Sequence, residues 1–370
     1  MKTVRFFCFV LPAVLGCSSG PVDLGDPGTK DTPNENDDTR NLDDDKTPGD
    51  TDKDPGTGPG TLKPASGPEP VLESAALTDV GEIHAFDLAD GKLIYSALHH
   101  DRMALFRYDI SSKSNALVDP EYGGSPFAAD AGGLFYFGLT ADPVRKATVG
   151  MPLTSTTHVP EWFSSVSTIA TAVALDPERV YFIERGELET SFMVANRGAF
   201  ATPPSETFAY GRSVRNDNEY FRHLVVDDGV AYAAGDRGRL VKFDLEIATT
   251  ILTTGGPKSG FVVDGSSFYW VDGTDLKTLS KTAAAGTAPS VIATLPSGAT
   301  NILAGVGPKG AYVLSQPTAD AEGGKVLRIH LSTGTPTELA TKLSGLRGGT
   351  FLEKSLYFAT SKGILRVTDG

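Results

Sequence analysis

The chain has 370 residues, with 33 Lys and Arg against 46 Asp and Glu and a formal net charge of −13. This acidic balance argues against nucleic acid as a partner, because such binding rests on clustered basic charge. Both of its cysteines, Cys8 and Cys17, fall in the first seventeen residues. The rest of the chain therefore has no thiol for a disulfide, a thiolate zinc site, an iron–sulfur cluster or a cysteine nucleophile.

The first element is a leader. Lys2 and Arg5 form a basic head, and Phe6 to Leu15 is apolar except for Pro12. A helix needs about twenty apolar residues to cross a bilayer, so this run is too short to span one. A basic head, a short apolar run and small residues after it read as a secretory signal over residues 1–16. The run ends Val14-Leu15-Gly16-Cys17. This resembles the lipobox of bacterial lipoproteins: an aliphatic residue three before a cysteine and a small one directly before it. The resemblance implies that Cys8 leaves with the signal and that Cys17 becomes the mature N-terminus, lipidated on its sulfur and amine. It also implies a bacterial cell-envelope location, tethered to a membrane, with the remaining chain in the periplasm or at the cell surface.

Residues 17–68 have a different composition. Asp, Pro, Gly and Thr dominate, and apolar residues reduce to Val22, Leu24, Leu42, Leu62 and Ala65. Such a segment buries too little surface to offset its ordering entropy, so a disordered acidic linker is expected. Asp50 to Gly56 imitates the start of a calcium loop. Pro55 stands where that loop needs glycine, and Thr61 where it needs an acidic ligand, so no metal is expected here.

From residue 69 to 370 short apolar runs alternate with Gly- and Asp-containing turns, which predicts an all-β domain. LIYSA, LFYFG, RVYFI, VAYAA, SFYWV, GAYVL and SLYFA each centre on a tyrosine: Tyr95, Tyr136, Tyr181, Tyr232, Tyr269, Tyr312 and Tyr357. Successive spacings are 41, 45, 51, 37, 43 and 45 residues. An apolar run ending in a turn precedes each tyrosine, with Asp90, Asp130, Asp176, Asp227 or Asp264 at five of these turns. A third extended run follows each tyrosine, and NALVD, TTILTT, PSVIATL and TELATK supply a fourth in several units. Four short strands per repeat of this length predict the blades of a seven-bladed β-propeller. The seventh unit shows three strands, and residues 69–76 match the pattern of a fourth. Supplying that strand from the N-terminal side closes the ring and removes an open edge. Phe268-Tyr269-Trp270-Val271-Asp272 resembles the core of YWTD propellers, and the domain as a whole resembles the YWTD, NHL and TolB-like kinds. Two β-sandwiches fit the repeat less well, and an eighth blade could hide in the 51-residue spacing.

Motifs for chemistry are few. Gly305-Val-Gly307-Pro-Lys-Gly310 spells a dinucleotide fingerprint, but a strand follows it where the fingerprint needs a helix. His99-His100-Asp101 is the one histidine cluster, expected in a loop between the second and third strands. No metal site, cofactor or catalytic residue is assigned. The polar loops entering the first strand and joining the second to the third favour binding at one propeller face. The candidates there are His84, His99, His100, Arg222, His223, Lys258 and Arg347, with Arg222, His223 and Arg347 as an anion-binding group. The loops joining the second strand to the third also carry Asp101 and Arg102; Asp142, Arg145 and Lys146; Glu184, Arg185 and Glu187; Asp236, Arg237 and Arg239; Asp272 and Asp275; and Asp320 and Glu322, a mixture of both signs. The expected role is a monomeric, membrane-anchored binding module for a protein, peptide or glycan. A lyase or hydrolase with its site in the central funnel is the alternative.

Overall fold

The computed structural model describes residues 67–73, 80–124, 126–139, 146–153, 163–165, 169–185, 189–197, 208–210, 214–215, 219–244 and 247–369. Cys8, Cys17 and the acidic segment up to residue 66 lie outside the described residues.

Among the described residues, twenty-nine strands form seven separate antiparallel sheets. Blade 1 is β2 (Val80–Ala89), β3 (Lys92–His99), β4 (Arg102–Asp109) and β5 (Ser114–Asp119). Blade 2 is β6 (Phe127–Asp130), β7 (Gly133–Leu139), β8 (Lys146–Met151) and β9 (Phe163–Ser165). Blade 3 is β10 (Ile169–Leu175), β11 (Arg179–Arg185) and β12 (Glu189–Asn196), with β13 (Phe208–Tyr210) and β14 (Val214–Arg215) both paired to β12. Blade 4 is β15 (Phe221–Asp227), β16 (Val230–Gly235), β17 (Leu240–Asp244) and β18 (Ile247–Leu252). Blade 5 is β19 (Phe261–Asp264), β20 (Ser267–Asp272), β21 (Asp275–Ser280) and β22 (Ser290–Thr294). Blade 6 is β23 (Ala299–Gly307), β24 (Gly310–Pro317), β25 (Gly324–Ile329) and β26 (Pro336–Leu343). Blade 7 is β27 (Gly349–Leu352), β28 (Ser355–Thr360) and β29 (Gly363–Thr368), completed by β1 (Glu69–Glu73).

The ring thus closes as the sequence predicts. Glu69 pairs with Arg366 and Glu73 with Gly363, while Leu72, 2% exposed, enters the core between blades 7 and 1. The long spacing between Tyr181 and Tyr232 holds the extra strand of blade 3 rather than an eighth blade. The GxGxxG stretch is the β23–β24 hairpin, with Gly307 paired to Gly310.

Seven apolar clusters make the core, one at each junction between neighbouring blades. All seven tyrosines lie in the second strand of their blades. Their faces divide, however. In blades 3 to 7 the tyrosine stands two residues beyond the residue that closes the first hairpin; in blades 1 and 2 it stands three beyond. A shift of one residue turns a strand side chain to the other face of its sheet. Tyr95 and Tyr136 accordingly pack toward the preceding blade, and Tyr181, Tyr232, Tyr269, Tyr312 and Tyr357 toward the following one. The junction of blades 2 and 3 receives no tyrosine of the series and is filled by Phe135 and Phe182.

Polar clasps join some of these wedges. Arg197, directly after β12, donates to Asp130 in the first hairpin of blade 2 through Nη1 (2.6 Å) and Nη2 (2.5 Å), and its Nη1 also reaches the Asp176 carbonyl at 2.9 Å. The guanidinium lies so close over the hairpin that a Cβ on Gly132 would sit 2.8 Å from Nη2. Lys281, in the equivalent place after β21, pairs with Asp227 of blade 4. After β29 the polarity is reversed: Asp369 faces Lys309 of blade 6 at 3.8 Å and accepts from Tyr312 (2.5 Å) and Arg328 (2.6 Å). Between blades 1 and 2 a buried carboxylate serves instead, with Asp87 accepting from the Ala129 amide at 2.8 Å.

Candidate functional site

A blade with four strands in series has two ends. Its first and third hairpins share one end; the loop from strand two to strand three and the entry to strand one share the other. The hairpin face and the loop face differ in how their polar groups are used.

On the hairpin face a cleft of about 810 Å³ lies among the first hairpins of blades 2, 3 and 4, lined by Asp130, Asp176, Glu178, Arg179, Arg197 and Asp227 to Gly229 with apolar neighbours. The sequence assigns aspartates to these turns because a carboxylate can bind amides two residues on. Asp130 accepts from the Gly132 amide at 2.8 Å, and Asp176 from those of Glu178 (2.8 Å) and Arg179 (2.7 Å). Asp176 also receives the Tyr181 hydroxyl at 2.7 Å. Burial and this bond to a carboxylate push the Tyr181 hydroxyl up to about 12. Asp90 departs from the pattern: it stands inside its turn with φ +48, followed by Gly91 at φ +69.

The loop face carries the sequence candidates. His84, Thr171 and Arg222 occupy one equivalent position, five residues before the hairpin-closing residue of blades 1, 3 and 4, and each is skipped by the strand ladder as a bulge. Arg347 takes the same position in blade 7. Bulges re-aim a side chain. The candidates nonetheless form two separate groups. His84, His99 and His100 belong to blade 1 and Arg347 to its neighbour, blade 7. Arg222 and His223 belong to blade 4, and Lys258 precedes β19 of blade 5. Arg222 and Arg347 lie three blades apart in the ring.

Individual environments separate them further. Arg347 forms an ion pair with Glu82 across the junction of blades 7 and 1. Lys258 faces Asp272 at 3.6 Å, and Asp272 also accepts from Lys277 at 2.8 Å. Those lysines, Lys277 first, hold the Asp272 carboxyl below the usual range. His223 is 5% exposed, with Nδ1 unpartnered; burial, with a smaller push from Arg222, takes its imidazole down to about 4. It is therefore neutral near pH 7 and adds no positive charge. His84 is also lowered by burial. His99 ends β3, and His100 and Asp101 form the following two-residue turn with φ +47 and +63. Their rings lie 4.2 Å apart between centroids, and no group of three metal-ligating side chains occurs among the described residues.

What remains is an arginine–tyrosine cluster between blades 3 and 4. The Arg185 guanidinium, at the end of β11, sits 3.2 Å from the centroid of the Tyr220 ring, and that of Arg222 sits 5.2 Å from it. Tyr220 immediately precedes β15, and its amide donates to Asp236 at 3.1 Å. Glu219, 5% exposed, turns toward the Arg237 and Arg239 amides at 3.3 and 3.1 Å. Sequence reasoning named both arginines and missed Tyr220. The available signal was a tyrosine outside the repeating series, directly before an inner strand.

The fold and its faces define a closed seven-bladed β-propeller. No family profile matches the chain, and no curated protein matches it. Solved structures do. A chain of the mitotic checkpoint complex is similar at a TM-score of 0.56 and 9% identity, over 89% of this chain and 100% of that one. The computationally designed Ika8 protein is similar at 0.53 and 13%, over 78% and 83%. The β-propeller domain of the Trilobed protease from Pyrococcus furiosus is similar at 0.52 and 7%, over 80% and 95%. That domain is described as having an open velcro topology, whereas β1 and β29 pair here. At these identities the likeness is one of fold.

Proposed function

We propose that this chain is an interaction module: a propeller held to a bacterial envelope membrane through lipid on Cys17, presenting its loop face to a protein partner. The carrying observation is the division of labour between the two faces. In the hairpin-face cleft, Asp130, Asp176 and Asp227 are each engaged with a turn or a neighbouring blade. A carboxylate that holds the ring together is poorly placed to shuttle protons, and this favours binding over the lyase or hydrolase alternative. On the loop face Arg347 and Lys258 are ion-paired, whereas Arg185 and Arg222 stand beside Tyr220 without a carboxylate partner among the described residues. The lipobox resemblance at Val14 to Cys17 supports the tether. Several acyl chains bind a membrane far more firmly than one, since each buried CH₂ contributes about 0.8 kcal/mol.

Two measurements test the reading. Cys17→Ser should move the protein from the membrane to the soluble fraction of expressing cells; retention in the membrane would refute the anchor. The full chain, cross-linked in envelope extracts, should capture a defined protein at stoichiometric level, and cross-links should map to loops entering first strands. Cross-links confined to the hairpin face would overturn the assignment of the binding surface.

A further inference from the structure

The cluster at blades 3 and 4 has the makings of an oxyanion site. An arginine stacked on an aromatic ring has its planar fork held in one orientation, with the edge nitrogens free for bidentate bonding to a carboxylate. Arg185 is so held, 3.2 Å from the Tyr220 centroid, and its Nε is buried without a hydrogen-bond partner. Arg222 approaches the same ring and is raised on a strand bulge. Neither guanidinium has a carboxylate partner among the described residues, in contrast to Arg197, Arg328, Arg347 and Arg366. Two like charges beside one ring repel each other, and a bound anion relieves that repulsion.

Among the described residues, the nearby acids do not fill the place. Glu219 is buried against backbone amides, and Asp236 receives the Tyr220 amide. Glu184 is buried next to Arg185 in β11, where adjacent side chains face opposite sides of the sheet. His223, neutral near pH 7, contributes no positive charge to the site. The Tyr220 face is covered by Arg185 and is not an open platform for stacking a sugar ring, which favours a peptide carboxylate over a glycan.

We infer that Arg185 and Arg222, braced on Tyr220, form a binding site for carboxylate side chains of an acidic protein segment. This rests on the interaction-module reading and specifies its partner chemistry.

The test uses the full chain and a hexaglutamate peptide, with hexalysine and an oligogalacturonate as comparison ligands, in calorimetric titrations at low and physiological salt. Hexaglutamate should bind saturably. Arg185→Gln and Arg222→Gln should each weaken it about ten- to a hundredfold, the range for losing a charged hydrogen-bonding partner. Arg185→Lys, which keeps the charge and loses the fork, should fall between parent and glutamine variant, and unchanged melting temperatures would establish that the variants fold. Arg102→Gln removes one positive charge from the same face, in blade 1, and should change affinity less than twofold. Equal losses in Arg102→Gln and Arg185→Gln would overturn the site in favour of a diffuse field effect. Tighter binding of oligogalacturonate would overturn the peptide assignment, and no hexaglutamate binding by the parent protein would overturn the proposal outright. The broader reading is separable: a partner captured equally by parent and Arg185→Gln proteins would preserve the module and place its contacts elsewhere.

Discussion

The clasp between blades 2 and 3 permits a quantitative test of how this ring holds together. Arg197→Met removes the guanidinium and keeps the aliphatic stem. The pair it breaks is secluded, with side-chain exposures of 9% for Arg197 and 15% for Asp130. Three hydrogen bonds disappear, two to the Asp130 carboxylate and one to the Asp176 carbonyl. Stranding one member of a buried pair costs about 3–5 kcal/mol. Asp130 keeps its bond from the Gly132 amide and some contact with water, so about 3 kcal/mol is expected here. For a domain of this size that corresponds to a fall in Tm on the order of 6 °C. Urea denaturation followed by tryptophan fluorescence would measure it, together with Asp130→Asn and the double variant. The double variant should recover most of the loss, because it leaves no uncompensated charge. A loss below about 1 kcal/mol in Arg197→Met would refute the reasoning, since that is the behaviour of a solvent-exposed pair.

Two further outcomes follow from the same physics. Deleting Glu69–Glu73 strips the outer edge from β29 and removes Leu72 from the junction of blades 7 and 1; Leu72 alone accounts for about 2–5 kcal/mol, and an unchanged thermal melt would disprove closure by β1. His223 titrates near 4 in the folded chain against about 6.5 when unfolded. Its contribution is therefore fully present above pH 6.5 and is lost as pH falls to about 4, because the unfolded chain gains the proton first. The loss amounts to roughly 3 kcal/mol. His223→Gln should flatten that part of the stability profile between pH 6.5 and 4, and a profile parallel to the parent's would show that the imidazole is not desolvated.

Much of the architecture was legible because a propeller repeats. The tyrosine spacing identified the second strand of every blade, and NALVD, TTILTT, PSVIATL and TELATK matched the outer strands β5, β18, β22 and β26. The outer strands of blades 2 and 3 were missed: β9 and β13 are three residues long, too short to show an alternating pattern. The face of each tyrosine was also missed. It depends on one residue of register between hairpin and ring, and spacings that already vary from 37 to 51 residues conceal such a difference.

The candidate site was legible only as a set of residue types. Arg222, His223 and Arg347 look alike in the sequence, each placed just before an inner strand. Their fates diverge because distant segments meet them: Glu82 engages Arg347, burial against the start of blade 5 keeps His223 neutral, and Tyr220 together with Arg185 of blade 3 braces Arg222. Repetition and local pattern, written in the order of residues, determined the three inner strands of each blade and the closing segment, while the extra strand of blade 3, and with it the count of seven blades rather than eight, emerged only in the tertiary structure. Which charges are spent on holding blades together, and which stand free at a face, was decided only in the tertiary structure. A side chain's charge and hydrogen bonds depend on what the closed ring brings within a few ångströms, and those neighbours come from other blades.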